Sequence, residues 1–153
     1  MGNFLWEKLV MSQAQAIDLH VINAFQLMWG PFPEPVMLIH KSRTILAVND
    51  YARHMGIPVG AKCYGLNPEV GPADDHCGRC KANLALKTGE TVCTEEEMGG
   101  RRVIGYWMPL KEVDDVYVHF GIGTAEAMAA ARTGGAAEAE ADQSSKADEL
   151  IQL

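Results

Sequence analysis

Apolar positions near the start of the chain recur at Val10, Ala14, Ile17, Val21, Ala24 and Met28, in steps of 4, 3, 4, 3 and 4. That spacing lays one stripe along a helix, and Asn3 to Trp29 holds neither Pro nor Gly to break it. The stripe fits two roles: a face packed on the domain's own core, or the seam of a homodimer. Gly30, Pro31, Pro33 and Pro35 then end the helix and impose an extended link.

Beyond the link the period changes to that of strands. Val36 to His40 and Thr44 to Asn49 read as a hairpin around Lys41-Ser42-Arg43. Asn49-Asp50 caps a short helix through Met55, closed by Gly56 and Pro58. Gly60 to Gly78 is loop with short helical turns, and Lys81 to Lys87 is a helix closed by Gly89. Three strands follow: Thr91 to Met98, a Gly99-Gly100 turn, Arg102 to Leu110, and Val116 to Gly123. The order predicts an α+β fold: a single antiparallel five-stranded sheet with short helices on one face, preceded by a long N-terminal helix.

The pattern divides the chain into a helical segment 1–30, a core domain 34–124 and a tail 125–153 rich in Ala and Glu. The tail has six acidic and two basic side chains, carrying −4 of the net −7. It reads as a short helix from Thr124 and then a segment with little to bury. A chain of 153 residues at this charge, with no basic run, is expected to bind neither nucleic acid nor anionic lipid. The most apolar long stretch, Ala16 to Trp29, is interrupted by Asp18, His20, Asn23 and Gln26, so no membrane span is expected. The start MGNFLWEKLV lacks the pattern of a secretory leader, which points to the cytoplasm.

In a reducing compartment four cysteines point to metal or redox chemistry rather than disulfides. Cys77-Gly-Arg-Cys80 lets two thiolates reach one metal from a single turn. Cys63 lies 14 positions before Cys77, and Cys93 lies 13 after Cys80. Four sulfurs so spaced suit an iron–sulfur cluster first and an all-cysteine zinc site second. Cys93 shares a strand face with Glu95 and Glu97, which turns it toward solvent, so His76 is the alternative fourth ligand. A thiol–disulfide switch is the third reading. Haem is set aside: residue 81 is Lys, not the His of C-x-x-C-H, and the helix from Lys81 holds no His. Asp74-Asp75 reads as turn chemistry and Glu95-Glu96-Glu97 as a charged strand edge. No nucleophile–base pair and no phosphate loop is present, so no enzyme is expected.

The order of elements, with PVMLIHKSRTILAVNDYARHMG, LKTGETV and YVHFGIG, resembles a PAS domain over about residues 34–124. The stretch GAKCYGLNPEVGPADDHCGRCKANLALKTGE resembles the cysteine-containing PAS domains of bacterial sensor proteins, through Cys63-Tyr64, Cys77 and Cys80. The resemblance implies a signal-sensing module, reading redox state or a gas at a cysteine-held metal or iron–sulfur centre. Its output is expected through a separate effector, such as a histidine kinase or regulator. The alternative is a module that binds a small ligand, with structural zinc or with free, redox-switching cysteines.

Overall fold

The computed structural model describes residues 18–67 and 69–133, beginning with a 12-residue helix, α1 (Asp18–Trp29). Val10, Ala14 and Ile17 of the expected stripe lie outside the described residues. Within α1 the inward stripe is Val21, Ile22, Phe25 and Trp29, so of the described seam positions Val21 packs inward, while Ala24 and Met28 are exposed. Aromatic area decides the rotation. Trp29 packs on Phe32 at 5.3 Å and on Phe120 at 5.0 Å between ring centroids, and burying such rings outweighs burying Ala24.

The sheet comprises β1 (Val36–His40), β2 (Ile45–Val48), β3 (Val92–Met98), β4 (Arg101–Pro109) and β5 (Val116–Ile122), all pairs antiparallel, in the order β2-β1-β5-β4-β3. β1 and β5 are central and most deeply buried, as their near-continuous apolar runs require. Gly99 and Gly100, at φ 58° and 77°, make the tight turn between β3 and β4 that only glycine enters without strain.

Register sorts the side chains onto two faces. The row Val36, Phe120, Tyr106 and Cys93 faces α1. The row Met37, His119, Trp107 and Val92 faces α2 (Asp50–His54) and α3 (Ala82–Thr88). This is the PAS-like α+β architecture expected from the order of elements, with the short helices on one face and the N-terminal helix on the other.

Two side chains tie the segments together. Asn49 is fully buried. Its Oδ1 accepts from Val36 N and Ala52 N, each at 3.0 Å, and its Nδ2 donates to the carbonyls of Trp29, Phe32 and Glu34. One amide thus caps α2, closes the end of α1 and holds the proline link. Glu34 accepts at both carboxylate oxygens, from Gly123 N and Ala125 N at 2.7 Å each. That carboxylate caps the helical residues 124–133, whose Ala127 is buried. The rest of the tail, 134–153, lies outside the described residues.

Candidate functional site

A cleft of about 830 Å3 lies between the α3 face of the sheet and the segment 63–80. Its floor is cut by glycine: Gly105 of β4 pairs with Gly121 of β5, and both line it. A Cβ at Gly121 would stand 2.5 Å from Thr124 Oγ1 and 3.1 Å from Val103 Cγ1, so space is what glycine supplies there. The walls carry Met37, Ile57, Leu66, Val103 and Trp107. Thr124 and Met128 of the helical residues 124–133 close one end.

Polar side chains line the cleft too, among them Asn67, Glu69, Asp74, Arg79, Glu96 and Glu97. Thr94 Oγ1 is buried without a partner, beside Gly105. His119 stacks on Trp107 at 4.7 Å, and its Nδ1 donates to Tyr106 O at 2.8 Å. Burial pushes the His119 pKa down, so the ring stays neutral near pH 7 and its Nε2 is an acceptor.

Three of the candidate cysteines line this cleft. Cys63 begins a 3-10 turn, Cys63–Leu66, and packs against the clusters around Tyr117 and Ile45. Cys77 and Cys80 bracket a tight turn closed by Cys80 N donating to Cys77 O at 2.9 Å, which leads into α3. All are free thiols. Burial pushes the Cys63 thiol up to about 11, with Cys80 and Cys77 adding to the shift and Arg43 and the Tyr117 hydroxyl opposing it. Burial raises the Cys77 thiol too, against the Asn67 amide, whose Nδ2 lies 3.9 Å from the sulfur. Both thiols are therefore protonated at neutral pH and poor nucleophiles.

The other two candidates stand apart. Cys93 is exposed and belongs to the Tyr106 row, on the opposite face of the sheet from Cys63 and Cys80. The alternation that turned it toward Glu95 and Glu97 is the reason. His76 is held by Asp75 and lines a separate pocket with Arg43 and Lys62. Among the described residues no three His, Cys, Asp or Glu side chains converge as metal ligands. Asp74 serves a turn, its Oδ2 accepting from Gly71 N, and β3 with its three glutamates is a sheet edge.

Sequence reasoning missed Gly105, Gly121, His119 and Arg43. A lone glycine inside a strand pattern is the signal for close approach of another group, and it is present twice. Nothing in the local sequence marks Arg43 as buried.

No family model matches the chain, and no curated protein matches it. Solved structures resemble it at low identity. A domain of an HTR-like protein from Haloarcula marismortui is 20% identical, covering 58% of this chain and 93% of that one at a TM-score of 0.42. The photoactive yellow protein domain of the sensor histidine kinase Ppr from Rhodospirillum centenum is 19% identical, covering 66% and 95% at 0.42. The PAS domain of BvgS from Bordetella pertussis is 16% identical, covering 82% and 98% at 0.40.

Proposed function

We propose that this PAS-like domain is a signal-sensing module rather than a catalyst. Its input is a small organic ligand held in the cleft, and its output passes to a separate effector such as a histidine kinase or regulator. The cleft itself carries the reading. Its volume falls in the range of about 300–1,000 Å3 usual for small-molecule sites, its walls are mainly apolar, and paired glycines open its floor. The His119 ring on the floor, with Asn67, Arg79 and Glu96 of the lining, supplies the polar contacts that orient a ligand. A ligand there touches both the 63–80 segment and Thr124 and Met128, so occupancy bears directly on the helical residues 124–133.

A second reading keeps the cysteines at the centre: a metal or iron–sulfur group, or a disulfide, formed after the 63–80 segment closes. The observation favouring it is that Cys63, Cys77 and Cys80 line one cleft and influence one another's ionisation.

Both are tested on protein purified without air. Denaturing mass spectrometry should release an organic molecule from the wild type and not from Gly105→Leu, which fills the floor. Iron with acid-labile sulfide, or stoichiometric zinc, lost in Cys63→Ser, would replace this with the metal reading. Neither product, together with no saturable thermal shift from any small molecule screened, would end the ligand proposal.

A further inference from the structure

We propose that the turn between β1 and β2, with Lys62 and Tyr64, forms a second site that binds a small oxyanion, a carboxylate or a phosphate. The site is a pocket of about 340 Å3 that shares no lining residue with the cleft.

Arg43 is its key. It sits in the left-handed region at φ 69°, which a non-glycine residue enters at a cost, and its side chain turns inward until only 5% is exposed. One terminal nitrogen donates to Lys41 O at 2.6 Å and the other to Asn83 Oδ1 at 2.9 Å. Its Nε is buried with no partner, and among the described residues no carboxylate pairs with the guanidinium. A buried cation held only by neutral acceptors is costly, and an anion removes most of that cost. The planar fork of Arg suits an oxyanion with two or more oxygens.

The surroundings agree. Lys62 Nζ donates to Ser42 O at 2.8 Å and Thr44 Oγ1 at 2.9 Å rather than to an acid, and Lys41 stands beside it, paired with Asp115 at 3.0 Å. Asp75, the one carboxylate lining the pocket, is held by His76. Three cations at one mouth run against the acidity of a chain with net charge −7. Because Cys63 lies between Lys62 and Tyr64, an anion here would fasten one wall of the cleft to the hairpin turn.

Calorimetric titration with inorganic phosphate and, separately, with acetate, at constant ionic strength and pH, tests the site. Saturable binding of either, at one per chain, is expected, and which one binds names the oxyanion. Lys62→Gln, an exposed position that leaves the fold intact, should weaken binding about tenfold, as loss of one charge-assisted hydrogen bond does. Gly105→Ala, at the floor of the cleft, should leave the affinity unchanged. No saturable heat with either anion, or an affinity that Lys62→Gln does not alter, overturns the proposal. Neither result bears on whether the cleft holds an organic ligand.

Discussion

Asn49 shows how much one side chain can hold. Its amide oxygen accepts from two backbone N–H groups, and its two N–H hydrogens are shared among three carbonyls. Asn49→Asp keeps the shape but cannot donate to those carbonyls, and it should cost about 3 kcal/mol or more in urea unfolding, a value set by several unpaired buried groups. Half of this was legible. The Asn-led cap is a local pattern, and Asn49 Oδ1 does accept from Ala52 N. The donation to the proline link was not legible, because nothing in a linear reading places Trp29, Phe32 and Glu34 around one amide. Cys63 makes the second prediction at this scale. Its thiol ionises in the unfolded chain near 9 but in the folded domain only near 11. Below 9 both states are neutral and stability is unaffected; between 9 and 11 the unfolded state gains, so stability falls. Unfolding midpoints from pH 8 to 11 should drop further for wild type than for Cys63→Ser, and equal slopes would remove Cys63 from the account.

At the scale of elements the strands were the most readable part. β1 spans Val36–His40 as the pattern predicts, and α3 ends where Gly89 takes the left-handed cap at φ 70°. Alternation and turn glycines are local signals, which is why they survive folding unchanged. The heptad count left the stripe of α1 two roles, core face or dimer seam, and packing adds that Phe25 turns inward while Ala24 and Met28 stay exposed. The site was half legible: spacing grouped Cys63, Cys77 and Cys80 and alternation set Cys93 apart, but only pairing register shows that Gly105 and Gly121 meet at the floor of the cleft. The Glu34 carboxylate that caps the helical residues 124–133 joins elements 89 residues apart, a contact no window detects. Glu34→Ala should fray that helix, with a loss of far-UV helical signal and about 1–2 kcal/mol of stability. Glu34→Gln, which keeps an acceptor, should retain more of both.

For the molecule as a whole, the open question of assembly has a surface to test. Leu27 and Met28 of α1 are 84% and 73% exposed, and Leu19 lies on the same helix at 66%. We propose a second copy of the chain as their occupant, in keeping with the expected homodimer through this helix. Light scattering after gel filtration should give twice the chain mass for wild type and the single-chain mass for Leu27→Glu, with unchanged circular dichroism; a wild type that is monomeric at all concentrations would end that view. No described helix is long and apolar enough to cross a membrane. The placement of Glu34 has a mechanical consequence here. It sits in the strap that follows the incoming helix, and it grips the first turn of the outgoing one. Entry and exit of the sheet thus meet at one carboxylate, so a displacement of the strap that moves Glu34 bears on the N–H groups of Gly123 and Ala125 without crossing the strands.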